Sequence, residues 1–315
     1  MITQLTFLSE IKPIWQQCLD KSALQLPFFS FAWQEAYFGT LGKKETPLIL
    51  HLPHLNIITA FVKRENSLEF SGGIEVSDYL DLVGPDEYKA KAWEEILEYC
   101  KNNQIPLLKL ANVPESSPTL KFFQDLSRNT FAKIKTIQQD TTPIFVLPKT
   151  YEEYLAGLDR KARHELGRKL RKFEREHLDV QISVSPHPDQ DVQILFDLMR
   201  LDGRKQKFLN PDYEEFFHLL MRNFSKNIIL QILYVNALPA AALFVLTTPA
   251  DFLLYNSGFD QTKFSGAGFY IKAESVRYAI EKGFEQYNFL QGRERYKYEL
   301  GGQDFGVYEI LVDLT

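Results

Sequence analysis

Cysteine is scarce in this chain: Cys18 and Cys100 are the two present, far apart and in no metal-ligand or redox spacing. That excludes a disulfide scaffold and a thiolate zinc site, and it fits ordinary thiols of a cytoplasmic protein. Long apolar runs are lacking too. The longest smooth one, Ala240 to Leu246, falls far short of the roughly 20 residues that span a bilayer. The opening MITQLTFLSEIKPIW has no basic start, no continuous apolar stretch and no small-residue cleavage site. No signal peptide and no integral membrane association are therefore expected. Positive charge is not in excess, since 36 basic residues face 41 acidic ones for a net charge of -5. No global field exists to hold DNA by counterion release, so an anion site has to be local. His51, His54, His164, His177, His187 and His218 form no H-x-x-E-H pattern, and neither a G-x-S-x-G elbow nor a P-loop occurs. No metal is expected, and those two nucleophile and nucleotide motifs are excluded.

What is present is core-forming material. The 315 residues are 45% hydrophobic and 14% aromatic, with 25 phenylalanines. Single cores stop growing at roughly 250–300 residues, so two domains are expected. The halves carry the same plan. In the first, a helical pattern covers about Ser9 to Leu41; strand-like runs follow at Leu48–Leu52, Asn56–Lys63 and Leu68–Phe70, then a helix at Asp86–Asn102 and a strand at Leu107–Leu110. In the second, strands at Ile228–Val235, Ala240–Leu246 and Phe252–Asn256 precede a helix at about Gly268–Lys282 and a strand at Gln286–Leu290. Antiparallel meander, helix, strand is an α+β plan of mixed sheets flanked by helices. The stretch TTPIFVLPKT, with two prolines, marks the join, and the expected domains are 1–145 and 146–315.

One turn carries a chemical signal. Lys263-Phe264-Ser265-Gly266-Ala267-Gly268 leads from a strand directly into the helix that begins near Phe269. Two glycines let successive N–H groups face one concavity, and the positive end of the helix dipole adds to them, so the place suits a phosphate. Lys263 and Lys272 supply countercharge. A tight helix start is the alternative use of the same glycines.

These residues also carry a resemblance. KFSGAG resembles the (Q/R)-x-x-G-x-(G/A) pyrophosphate loop of the GNAT acyltransferases, with lysine at the first position. The text from Tyr255 to Gly302 is similar to the C-terminal signature of CelD-type (cellulose biosynthesis) acetyltransferases, which are related to the Fem-type peptidoglycan bridge transferases. Phe28-Phe29-Ser30-Phe31-Ala32-Trp33 and Ser77-Asp78-Tyr79-Leu80-Asp81 resemble earlier segments of that family. The resemblance implies tandem GNAT-like folds in a Fem-like two-domain architecture, with the C-terminal copy holding acyl-CoA and a cleft between copies holding the acceptor. It implies donor contacts from Lys263, Gly266, Ala267, Gly268, Phe269 and Lys272. The chain departs from the family at Asn288 and Gln291, where Asp-Phe-Leu-Arg-Gly is usual, and at Ser265-Gly266-Ala267-Gly268, where Ser-Pro-Gly is usual.

Gly292-Arg293-Glu294-Arg295-Tyr296-Lys297 gathers charge and phenol behind a strand, where open sheets leave ligand crevices. Acyl transfer from a thioester needs a proton acceptor, an oxyanion donor and an acid for the leaving thiolate. Glu294 suits the first role and Tyr296 the last; Lys297 resembles a lysine of the Fem-type relatives and is the expected stabiliser of negative charge. A solvated helix start is the alternative. Between Asp159 and His177 eight basic residues stand with four acidic ones. At 100° per residue Ala162, Leu166, Leu170 and Phe173 form an apolar stripe opposite an arginine face that includes Arg163 and Arg168. Such a face binds acidic or phosphorylated groups, or stands solvated. Lys207, in Asp202-Gly203-Arg204-Lys205-Gln206-Lys207, resembles a family lysine, and with Asp78, Tyr79, Arg163 and Arg168 it completes the expected substrate contacts.

The expected function is acyl transfer, acetyl foremost, from acyl-CoA to an amine or hydroxyl of a sugar, nucleotide-sugar or cell-envelope precursor. Two alternatives stand beside it: a Fem-type transferase fed by aminoacyl-tRNA, and a non-catalytic binding protein of polysaccharide biosynthesis. Binding of acyl-CoA separates them. A β-branched residue in place of Gly268 is expected to block the pyrophosphate while leaving the chain folded.

Overall fold

The computed structural model describes residues 2–5, 9–129 and 133–315. Part of the N-terminal segment considered above, Met1 and residues 6–8, lies outside them. The elements run β1 (Thr3–Leu5), α1 (Lys12–Leu19), α2 (Phe31–Gly39), β2 (Pro47–Leu52), β3 (Ile57–Lys63), β4 (Ser67–Phe70), α3 (Asp86–Asn102), β5 (Leu107–Pro114), α4 (Pro118–Asn129) and β6 (Lys133–Thr141). Next come β7 (Ile144–Val146), α5 (Tyr151–Gly157), α6 (Arg160–Glu176), β8 (Val180–Val184), α7 (Pro188–Arg200), α8 (Gly203–Phe208) and α9 (Pro211–Asn223). The chain continues through β9 (Ile228–Val235), β10 (Leu238–Thr247), β11 (Asp251–Phe259), α10 (Ala267–Glu281), β12 (Gln286–Asn288), α11 (Arg295–Glu299) and β13 (Gly306–Asp313).

Two compact units result: residues 1–141 with 305–315, and residues 142–304. The first is built on a sheet of order β1-β2-β3-β4-β5-β13-β6, the second on β7-β12-β11-β10-β9-β8. Both are mixed sheets and both repeat one plan. Three antiparallel strands end in one (β4 or β11) that lies parallel to the strand (β5 or β12) beyond the following helix. That parallel step requires a crossover, and α3 and α10 supply it. The expected boundary at 145/146 therefore shifts to 141/142, and the final strand does not belong where it was expected. β13 inserts between β5 and β6, because its alternating Val307, Ile310 and Val312 find their buried face in the first unit.

Local chemistry explains the elements. The helical pattern from Ser9 to Leu41 is not one helix: Pro27 holds Leu26 extended at φ -75°, ψ 153°, and Ser30 then caps α2 by accepting from the Trp33 N–H at 3.2 Å. In α3, Trp93 is buried against Phe61, Phe70 and Phe123, and its indole N–H donates to Thr119 Oγ1 at 2.8 Å. Beneath it sits a buried ion pair. Asp81 accepts from Lys89 Nζ at 2.7 Å, Ser117 Oγ at 2.6 Å, Thr119 Oγ1 at 2.6 Å and the Leu82 N–H at 2.7 Å. All of the carboxylate's lone pairs are engaged, which is what a buried charge requires. Cys18 and Cys100 are both buried, and burial pushes each thiol up to about 11, so both stay protonated and unreactive.

In the second unit α10 buries Ala267, Ile271, Ala273, Val276 and Ala279 on the sheet. On β11 a close approach is set by Gly258, where a Cβ would meet the Met199 nitrogen at 2.7 Å and the Leu195 carbonyl at 2.9 Å, both backbone atoms of α7. Gly258→Ala is expected to lower unfolding free energy by about 1–3 kcal/mol through overpacking, read from the urea midpoint. An unchanged midpoint would show that α7 can shift freely. Among the described residues, no helix is long and apolar enough to cross a membrane.

Candidate active site

β11 organises the site. Its parallel pairing with β12 covers Asp251–Leu253 against Gln286–Asn288, after which β11 runs on to Phe259 while β12 stops. A register shift at Phe244/Val245 in the β10–β11 ladder accompanies the divergence. Two parallel strands thus part at their carboxyl ends, where open sheets expose polar backbone to ligands.

On one side lies the start of α10. Gly266 occupies the left-handed region at φ +92°, and no side chain caps the helix. Of its first-turn N–H groups, that of Ala267 donates to the Phe264 carbonyl at 3.0 Å and those of Phe269 and Tyr270 to the Gly266 carbonyl at 3.1 and 3.0 Å, so the helix dipole is what favours an anion at this end. A cavity of about 240 Å³ adjoins this point, lined by Arg168, Lys169, Lys172, Phe173, Ser265, Gly266 and Phe269. Its walls carry cations and rings with one carboxylate, Glu176, which pairs with Lys172 at 3.9 Å: Lys169 Nζ stands 4.2 Å from the Phe269 ring centroid and pairs with Glu299 at 2.5 Å, and Arg168 pairs with Glu165 at 2.9 Å.

On the other side is the turn into α11. Leu290 takes φ +58° and Gly292 φ +111°, and a Cβ on Gly292 would lie 2.5 Å from the Glu294 carboxylate. Lys297, its side chain 2% exposed, ties this turn together by donating to the Leu290 carbonyl at 2.9 Å and the Gln291 carbonyl at 2.6 Å, and by pairing with Glu294 at 3.0 Å. Asn288 contributes by accepting from the Leu290 N–H at 2.8 Å. Burial tends to raise the Glu294 carboxyl, but Lys297, the Glu294 backbone N–H and Lys272 together outweigh it, and the group sits below its ordinary value. Burial holds the Tyr296 phenol well above 10, with Glu294 adding to the effect, so it is a neutral proton donor. Lys272 of α10 lies over the Tyr296 ring, 4.0 Å from its centroid.

Residues 160–298 match the family described as acetyltransferase (GNAT) domain. Three solved structures share the whole two-unit plan. A conserved protein of Bacteroides thetaiotaomicron has TM-score 0.67 at 12% identity, covering 99% of this chain and 100% of its own. FemX has TM-score 0.63 at 11% identity, covering 98% and 96%. A tandem GNAT protein from the clavulanic acid biosynthesis pathway has TM-score 0.54 at 10% identity, covering 100% and 98%. The fold is a tandem GNAT-like fold. Its second unit contains the residues that match the GNAT acetyltransferase domain; no curated protein matches the sequence.

The expected site residues fall into three groups. Gly266, Ala267, Gly268 and Phe269 open α10 as expected, and Lys263 is exposed on the preceding loop with Nζ 5.3 Å from the Phe264 ring centroid. Gly268, however, has a packing reason of its own: a Cβ there would meet the Phe259 ring at 2.7 Å. A β-branched residue at 268 would disturb the α10–β11 contact, so the variant expected to remain folded is not a clean probe of donor binding. Lys272 also departs from expectation. Six residues into α10, it reaches the Tyr296 and Phe259 rings rather than the loop.

The second group is the α11 turn, where Glu294, Tyr296 and Lys297 do converge. Lys297 was expected to stabilise developing charge directly; its amine is instead committed to two carbonyls and Glu294, and it acts by fixing the turn. The departures at Asn288 and Gln291 belong to that same turn. The third group disperses. Arg168 lines the cavity at Gly266, whereas Arg163 lies with Arg160, Lys161, His164 and Arg171 around a separate surface hollow of α6. In the first unit Tyr79 is 2% exposed and packs edge-on to Phe28 and Phe305, so it serves the core, with Asp78 half-buried beside it.

Lys207 is exposed on α8, and the lysine that reaches β11 is Lys205. Lys205 Nζ donates to Asn256 Oδ1 at 3.1 Å and to the Ser257 carbonyl, and burial pushes it down to about 8 against the pull of Asp202 and Glu294. Asp202 accepts from the Arg204 N–H at 2.9 Å and so caps α8. That cap sets the helical phase, and one step of 200° separates the two lysines. The sequence held both; only the cap distinguishes them.

Proposed function

We propose that the protein is a cytoplasmic acyltransferase of CelD type that moves an acyl group, acetyl foremost, from acyl-CoA to an amine or hydroxyl of a sugar, nucleotide-sugar or cell-envelope precursor. The observation that carries the reading is the uncapped start of α10 at left-handed Gly266, beside a cavity walled by Arg168 and Lys172. It offers what a diphosphate needs: the positive end of a helix dipole and local cations in an otherwise acidic chain. Ala267, Gly268, Phe269 and Lys263 complete the donor side. Glu294 accepts a hydrogen bond from the attacking group and orients it, and Tyr296 protonates the leaving thiolate. Arg163 and the rest of the α6 hollow favour a second reading, an aminoacyl-tRNA donor held by that basic face.

Calorimetric titration with acetyl-CoA and longer acyl-CoAs tests the first reading. Saturable binding is expected, weakened about tenfold or more in Arg168→Ala/Lys172→Ala, because each charge-assisted contact is worth about 1.5–3 kcal/mol. The exposed position of both residues leaves the core intact. Absence of binding by the wild type rejects acyl-CoA and shifts the donor to tRNA.

A further inference from the structure

Three lysine amines meet near the end of β11, and they are held differently. Lys297 and Lys205 are fixed by carbonyl and amide oxygens, as described. The Lys272 amine makes no hydrogen bond and no ion pair among the described residues, although the residue is only 6% exposed; its Nζ faces the rings of Tyr296 at 4.0 Å and Phe259 at 5.1 Å. A buried ammonium in this position loses hydration and gains no carboxylate of its own. The groups facing it are Lys205 from α8, Lys297 and Tyr296 from α11, and Glu294 at the start of α11, which is already paired with Lys297. Burial first, then Lys205 and Lys297, push Lys272 down to about 7, with Glu294 opposing. The Tyr296 ring face works in the same sense as Glu294 by favouring the ammonium once it forms.

We infer that Lys272 is a catalytic base of this site, its neutral amine taking the proton from the attacking amine or hydroxyl. The inference rests on the acyltransferase reading and completes its proton path. The acceptor nitrogen or oxygen bonds to the thioester carbonyl carbon, and its proton passes to Lys272 Nζ. The carbon–sulfur bond then breaks, and the departing thiolate takes the Tyr296 phenolic proton. Lys272, now ammonium over that ring, returns its proton to the phenolate. The sum is acceptor plus acyl-CoA giving acylated acceptor plus free CoA thiol, with both side chains restored. Glu294 is poorly suited to the step because Lys297 holds it low and a weak base gains little from a proton. Lys205 and Lys297 are poorly suited because their amines are spent on carbonyls.

A base must be deprotonated to act, so kcat/KM of the wild type is expected to rise with pH through about 7 and level above it. Lys272→Met should lose roughly 10² to 10⁴ in rate and the pH limb with it, at unchanged acetyl-CoA affinity. Lys272→Arg keeps the charge but cannot be deprotonated, so it should be equally inactive. Retention of more than about a tenth of the rate in the arginine variant, or of the limb in the methionine variant, overturns the inference. A second readout needs no turnover: the ¹³Cε shift of Lys272 in the labelled full chain, assigned by its loss in Lys272→Met. A midpoint near 7 supports the inference; one near the ordinary lysine value of about 10.4 overturns it. Failure of the wild type to release thiol from any acyl-CoA sinks the acyltransferase reading instead, and the shift titration still decides the state of Lys272.

Discussion

Tyr296→Phe is expected to cut kcat for thioester cleavage by roughly 10² to 10⁴ while leaving acetyl-CoA affinity within about twofold. The variant keeps the ring that Lys272 and Phe289 pack against and removes only the hydroxyl. Burial and the Glu294 charge keep that phenol neutral across the working range, so the wild type always has a proton to give and the variant never does. Thiol release at saturating acyl-CoA and acceptor is the measurement. The pH limb near 7 should survive in Tyr296→Phe, because it belongs to a different group. An undiminished rate removes Tyr296 from the acid role.

Asp81→Ala should be the most damaging single change to stability, at about 3–5 kcal/mol. It removes one partner of a buried pair and strands Lys89, whose side chain is 4% exposed and retains Asp86 at 2.8 Å as its remaining carboxylate. Ser117 and Thr119 lose their acceptor at the same time. Burial pulls the Lys89 amine down, but Asp81 and Asp86 together hold it above its ordinary value. The sign follows: this pairing stabilises fully below the ordinary lysine pKa and fades as pH rises past the raised one. Urea unfolding at pH 7 checks the magnitude; a loss under about 1 kcal/mol would mean that water enters and solvates Lys89.

Much of the fold was legible because the strands and crossover helices carry strong periodicity. The β9–β10–β11 meander and α10 lie within three residues of their expected limits. β6 escaped notice because most of Lys133–Thr141 is solvent-facing, which blurs the alternation that reveals a half-buried strand. β13 alternates, but which sheet takes it is a long-range pairing that no local pattern encodes. The site divides the same way. Glu294, Tyr296 and the Gly266 turn are close in sequence to the strands that place them. Lys205 against Lys207, and Arg168 against Arg163, were separable only by helix phase relative to a neighbour. Gly268 carried a signal for ligand approach and for packing at once, and the Phe259 ring decides which is compulsory.

The position of β13 also imposes an order of events on synthesis. The seven-stranded sheet stays open between β5 and β6 until β13 leaves the ribosome, by which time every strand of the second sheet, ending with Asn288, has already been made. The domain synthesised first is therefore the one completed last, and its unpaired β5 and β6 edges await their partner while the second unit is already able to close.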